Sequence, residues 1–145
     1  MIERDEAMKI RDFDPQDVDA LVNILKANQQ YGHPAIDGPE AMLRVHNCTA
    51  AEFLVADEEQ GPVGMIRGSY DGSRAIIYLA SVHPDYQRHG IGREMVREIA
   101  HRFRERGAAS IAVIVPGEVG FWKKMNFRQT TRVMQAFPID TVLGT

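Results

Sequence analysis

The residues with the most chemistry per unit length lie at Leu79-Ala80-Ser81-Val82-His83-Pro84-Asp85-Tyr86-Gln87-Arg88-His89-Gly90-Ile91-Gly92. An apolar strand ends, a short loop turns, and a helix starts on two glycines. The start of a helix carries unpaired backbone N–H groups and a partial positive charge. Glycines there let the backbone come close to a phosphate, so the stretch reads as an anion cradle. Arg88, Arg93 and His89 surround it with positive or titratable groups. Few groups offer themselves as a general base. Tyr78 and Ser81 are the polar residues of the preceding strand, which has no carboxylate. His33, Asp37 and His46 fall in the early helix-loop region and Glu118 falls later, each read first as an ordinary surface or structural polar residue. His101 reads as a surface residue of the helix after the loop, and Cys48 as a small apolar residue.

These residues must be held by a scaffold. Met8 to Phe13 alternates like a short strand. Asp14-Pro15 reads as an N-cap with proline at the first helical position. Val18, Leu21, Val22 and Leu25 share one helical face that ends near Gln30. The glycines and prolines from Tyr31 to Pro39 predict a loop, and Glu40 to Asn47 a second short helix. Glu52–Ala56 and Val63–Tyr70 read as strands joined by a polar turn, with Gly64 and Gly68 thinning one face for close approach. Asp71-Gly72 marks another hairpin, leading into the nearly continuous apolar strand Ala75–Val82. Gly90 to Arg106 is predicted helical with Ile91, Met95, Ile99 and Phe103 inward, stopped by Gly107. A strand over Ser110–Val115, a helix over Gly117–Asn126 and a strand over Phe127–Phe137 complete the order β-α-α-β-β-β-α-β-α-β. This is an α+β sandwich with a mixed sheet.

Composition narrows the function. The 145 residues are 44% hydrophobic and 26% charged, ordinary values for one globular domain over residues 8–145. The first seven residues are polar and acidic, and read as a disordered extension or a start placed upstream of Met8, not as a secretory signal. One cysteine forms no internal disulfide and no cysteine-rich zinc site, so no metal is expected and a cytoplasmic setting is. A net charge of -3 asks for neither nucleic acid nor an anionic membrane. No apolar run reaches the ~18 residues of a membrane span.

The spacing Gln87-x-x-Gly90-x-Gly92 after a strand ending Val82-His83-Pro84 resembles the acetyl-CoA loop of the GNAT superfamily of N-acetyltransferases. Phe121-Trp122-Lys123-Lys124-Met125-Asn126-Phe127 is similar to a later segment of that family, and the likeness covers about 130 residues. The resemblance implies acetyl-CoA as co-substrate and direct acetyl transfer to an amine, of a small molecule or a peptide. It implies that Gln87, Arg88, His89, Gly90, Ile91, Gly92 and Arg93 hold the pyrophosphate. Val82 and His83 would lie along the pantetheine arm, with Phe121 and Lys124 further on. The Val82 N–H would face the thioester oxygen. Tyr31, His33 and Asp37 would line the acceptor pocket, Tyr78 or Ser81 would relay a proton, and a homodimer is compatible with the last strand. Trp122 stands where the family often has a tyrosine acid. An indole N–H donates a hydrogen bond but gives up no proton. A non-catalytic acyl-CoA-binding module is the alternative.

Overall fold

The computed structural model describes residues 8–144, so the expected extension at 1–7 lies outside the described residues. The chain divides into two compact units between Val113 and Ile114.

The first unit is built on a five-stranded sheet of order β1-β2-β3-β4-β5. The strands are β1 (Lys9–Asp12), β2 (Ala51–Glu58), β3 (Gly61–Tyr70), β4 (Ala75–Val82) and β5 (Ile111–Val113). The first three pairings are antiparallel and the last, β4 with β5, is parallel. The α+β class and mixed sheet expected from the sequence are what forms.

Local chemistry explains the elements. The Asp14 carboxylate accepts from Gln16 N–H at 2.9 Å, and the Asp17 carboxylate accepts from Asp14 N–H at 2.8 Å. This reciprocal cap opens a 3-10 turn, Pro15–Asp17, that runs into helix α1 (Val18–Ala27). Buried Asp17 also takes two 2.9 Å bonds from Arg11, whose Nε donates to Asp57. Arg11 is therefore held in its charged form, its pKa raised first by Asp17. Helix α1 buries Leu21, Ile24 and Leu25 against Phe53, Val55 and Met65 of the sheet. Helix α3 (Pro39–His46) adds Met42 to the same cluster. Each such side chain contributes about 1.5–3 kcal/mol by leaving water.

Helix α4 (Ile91–Arg106) buries Ile91, Met95, Val96, Ile99 and Phe103. It starts on Gly90 at φ 83° and stops on Gly107 at φ 109°, where Ala108 N–H closes back onto the Phe103 carbonyl. Gly64 and Gly68 are thinned for the protein itself. A Cβ on Gly64 would sit 3.3 Å from the Met95 side chain, and one on Gly68 2.3 Å from the Ile76 carbonyl oxygen.

The structure departs from expectation in four places. A short helix, α2 (Pro34–Asp37), occupies the loop read between Tyr31 and Pro39. Strand β5 is three residues long, not six. Cys48, read as a small apolar residue, is exposed after α3 and not packed into the core. The strand read over Phe127–Phe137 does not form; the second unit instead holds helices α5 (Gly120–Lys124) and α6 (Asp140–Leu143). Arg128 to Arg132 are five consecutive polar residues, which leave no apolar face to bury, and strand preference depends on such burial. Val133 and Met134 are 65% and 95% exposed. Among the described residues no helix is long and apolar enough to cross a membrane.

Candidate acyl-carrier site

The site is made by a strand that outruns its neighbour. β4 pairs with β5 only at Ala75, Ile76 and Ile77. On its other side β4 stays paired with β3 up to Val82, and the register slips between Arg67 and Gly68, leaving Tyr78 as an extra residue. That bulge redirects the strand where β5 stops. From Leu79 to Val82 the edge is open among the described strands.

The backbone alternation decides what this edge presents. His83 N–H donates to the Val63 carbonyl at 2.8 Å, so His83 faces β3. Val82 and Ala80 then turn their N–H and C=O groups toward the open edge. Their carbonyls are covered by residues just past α1 and by Gln87 of the loop. Val82 O accepts from Asn28 Nδ2 at 2.8 Å and from Gln87 Nε2 at 2.9 Å, and Ala80 O accepts from Gln30 Nε2 at 3.3 Å. The Val82 N–H faces the opening.

The loop beyond is shaped by backbone. His83 Nδ1 accepts from Asp85 N–H at 3.1 Å and caps a 3-10 turn, Pro84–Tyr86. Gln87 is extended, Arg88 has φ 67° and Gly90 φ 83°. A left-handed arginine costs about 1–2 kcal/mol. Two left-handed residues within three turn the amides into a concavity of the kind that holds anions. The N-cap of α4 is Gly90, which has no side chain of its own to cap the helix, and the helical ladder begins with Glu94 N–H on the Gly90 carbonyl. The amides of Ile91, Gly92 and Arg93 precede that bond and point out of the helix start. Arg88 and His89 are exposed beside them. Ile91 is 1% exposed, so its side chain belongs to the core and only its N–H belongs to the cradle. Gln87 acts through its amide as a strut within the loop.

The candidate acid-base residues are placed differently. Tyr78 is 47% exposed and its hydroxyl shares a 2.9 Å hydrogen bond with Ser69. Ser81 is buried, donates to Gln30 Oε1 at 2.5 Å and accepts from Asn28 Nδ2 at 2.8 Å, so its hydroxyl ties helix to strand. His46 lies edge-on to Phe13, and exposed His101 lies near Arg104 on α4. Tyr31 lies under the Lys26 ammonium, and His33 precedes α2. Asp37 pairs with Arg67, a 6% exposed arginine above the Phe53 ring whose Nη1 has no hydrogen-bond partner among the described residues. Burial pushes the Asp37 carboxyl up, against the pull of Arg67, and burial pulls Arg67 down, against Asp37. Arg67, Asn28 and Gln30 escaped the sequence reading. A lone charge inside the apolar run Val63-Gly64-Met65-Ile66-Arg67 was the available signal for the first.

In the second unit, half-buried Trp122 sits between Phe121 and Phe127, with ring centroids 5.1 and 5.3 Å away, both edge-on. Lys124 is exposed at the end of α5. Asn126 has φ 72°, a left-handed turn just after α5. Among the described residues no group of three or more histidine, cysteine or acidic side chains could hold a metal.

The family model of the acetyltransferase (GNAT) family matches residues 18–127. This chain is a GNAT acetyltransferase family member. An acetyltransferase of Yersinia pestis is 26% identical over 131 residues, 88% of this chain and 92% of that protein. One of Sodalis glossinidius is 31% identical over 86 residues, 57% of this chain; the match spans 61% of that relative's length. Among solved structures, Ard1 from Thermoplasma volcanium superposes with a TM-score of 0.75 at 25% identity, over 86% of this chain and 85% of that one. The PaiA N-acetyltransferase of Thermoplasma acidophilum, solved with coenzyme A, superposes with a TM-score of 0.73 at 16% identity, over 83% and 87%. The GNAT match runs through β4, the loop and α4, the elements that build the open edge and the cradle.

Proposed function

We propose that the protein transfers the acetyl group of acetyl-CoA to a primary amine, by direct attack within a ternary complex. The observation that carries this reading is the continuity between the open edge of β4 and the left-handed, glycine-started entry to α4. Three features fit the thioester carrier. The amides at residues 88–92 suit a pyrophosphate, Arg88 and His89 are exposed beside them, and the open edge offers the Val82 N–H to an arm that lies alongside like an added strand. When bound, acetyl-CoA supplies an activated acyl group and a thiolate leaving group.

The chain's own part is positioning and charge stabilisation. The cradle fixes one end of the carrier, and the Val82 N–H donates to the oxygen on which charge develops. An amine of pKa ~10.4 is mostly protonated at neutrality, so its proton must leave, to water or to a side chain. The exposed Tyr78 hydroxyl, linked to Ser69, is the relay this site offers; buried Ser81 is committed to Gln30 and Asn28. Trp122 gives no proton to the departing sulfur. A thiol of pKa ~8.5 leaves as thiolate without one, at a loss of at most the ~10²–10⁴-fold a positioned acid provides. The segment Tyr31–Asp37 borders the acceptor side in this reading. Asp37 is paired with Arg67, so the acceptor is selected by something other than a bare Asp37 carboxylate. The family assignment gives no support to a non-catalytic acyl-CoA sensor.

A thiol-release assay with acetyl-CoA over small amines, peptide N-termini and lysine-containing peptides tests the proposal. Release dependent on one acceptor class, with acetylated product by mass spectrometry, is expected. Tight coenzyme A binding with no release on any class contradicts turnover. Trp122→Tyr raises the rate if departure of the sulfur limits it.

A further inference from the structure

The end of α1 is shaped in a way that helix packing does not require. Helix α1 closes with Gln30 N–H on the Leu25 carbonyl at 2.8 Å and Gln29 N–H on the Lys26 carbonyl at 3.2 Å. Gln29 lies at φ 54°, the left-handed region, where glycine is the usual occupant. That turn directs both flanking amides, Asn28 and Gln30, onto the last three residues of β4. The Asn28 carboxamide is engaged on both sides. Nδ2 donates to Ser81 Oγ and to Val82 O, each at 2.8 Å, and Oδ1 accepts from Gln87 Nε2 at 3.2 Å. Its orientation follows from chemistry. Val82 O only accepts, so a flipped amide would set two acceptors face to face.

We infer that Asn28 is a positioning residue for the acyl carrier: one carboxamide joins the end of α1, the end of β4 and the phosphate loop, and so holds in place the strand end that carries the Val82 N–H. This deepens the proposed function and rests on it. Asn28 satisfies the Val82 carbonyl on the open edge, where β5 no longer supplies a donor. Without it that carbonyl keeps only the Gln87 bond and is freer to turn toward water, taking with it the His83 N–H of the same peptide unit, which bonds Val63, and loosening the end of β4 that carries the Val82 N–H. Gln87 shares the same carbonyl and the same carboxamide, so the cradle and the open edge are set as one unit. The cradle end of the carrier and the arm end then meet one preformed surface, which lowers the cost of ordering on binding.

Asn28→Asp keeps the shape and replaces the donor by an acceptor; Asn28→Ala removes both. The readout is the Kd for coenzyme A by calorimetry, on protein shown folded by circular dichroism. The expected result is binding weakened about tenfold or more in both variants, with Asn28→Asp the worse. The Val82 amide resonance, shifted by coenzyme A in the wild type, stays in place in Asn28→Asp at the same concentration. A purely structural bond would lower the melting temperature and leave the Kd of the folded protein unchanged; that result overturns the inference. If neither variant folds, Gln87→Met breaks the same link from the exposed loop and is expected to weaken binding in the same sense, and unchanged binding there overturns it. The outcomes separate cleanly. No binding by the wild type removes the acyl-carrier reading itself, whereas normal binding by wild type and variants alike removes only the role of Asn28.

Discussion

Arg67 Nη2 and Asp37 Oδ1 meet at 2.6 Å and join the middle of β3 to the end of helix α2. Arg67 also donates to the Ile36 carbonyl at 3.1 Å, so the short helix is held to the sheet by one buried guanidinium. Removing one partner of such a pair is worse than replacing the charge by an apolar chain. Asp37→Asn, which strands the arginine, is expected to lower stability by about 2–3 kcal/mol, and Arg67→Met by about 1 kcal/mol. Urea unfolding of the two variants decides; the reverse ranking contradicts this account of the pair.

Gly68 sits at the bulge, where an added Cβ would lie 2.3 Å from backbone oxygen of Ile76. Backbone in a paired strand yields little, so Gly68→Ala is expected to cost about 2–3 kcal/mol. At Gly64 the nearest side chain is the flexible Met95, though the Ser81 carbonyl oxygen lies 3.1 Å away. Gly64→Ala is therefore expected to cost about 1 kcal/mol. Equal losses in thermal unfolding would show that the bulge is not the constraint.

Gln29 carries left-handed strain at the end of α1. Glycine relieves it, partly offset by the greater freedom of the unfolded chain. Gln29→Gly is expected to raise stability by about 0.5–1 kcal/mol, read as a higher midpoint in urea. A loss of stability would mean that the Gln29 side chain makes a contact worth more than the strain.

Asp71 accepts from Ser73 N–H and Arg74 N–H, each at 2.8 Å, in the turn between β3 and β4. The Arg74 bond first, then the Ser73 bond, hold its carboxyl below the usual range. A depressed carboxyl adds stability above its unfolded pKa and loses it as pH falls through the folded value. Asp71→Asn keeps an acceptor and removes the titration. Melting between about pH 2.5 and 6 is expected to show a shallower acid loss in the variant than in the wild type. Parallel curves contradict the assignment.

Much of this was legible from residue spacing. Helix α4 announced itself because Ile91, Met95, Ile99 and Phe103 repeat at one face and left-handed glycines stand at both ends. The cradle was legible because it is made of backbone, and Gly90 and Gly92 mark where backbone must be bare. The strut role of Gln87 was not, since its partners lie at Val82 and at Asn28, 59 residues away. Asn28 and Gln30 looked like the polar end of a helix; only the left-handed turn at Gln29 aims them at β4. The last strand failed for the opposite reason. Phe127 to Phe137 has strand-forming residues, but its polar middle gives it no apolar face, and none of the five described strands pairs with it.

Calorimetric titration with coenzyme A of the wild type and of Gly90→Glu tests the central claim most directly. Glutamate at φ 83° puts bulk and negative charge where the amides of residues 88–92 converge. Its left-handed strain alone costs about 1–2 kcal/mol, which leaves the protein folded. The account predicts saturable one-site binding by the wild type and none by the variant. No heat from the wild type at about millimolar coenzyme A, or an unchanged Kd in folded Gly90→Glu, would contradict it.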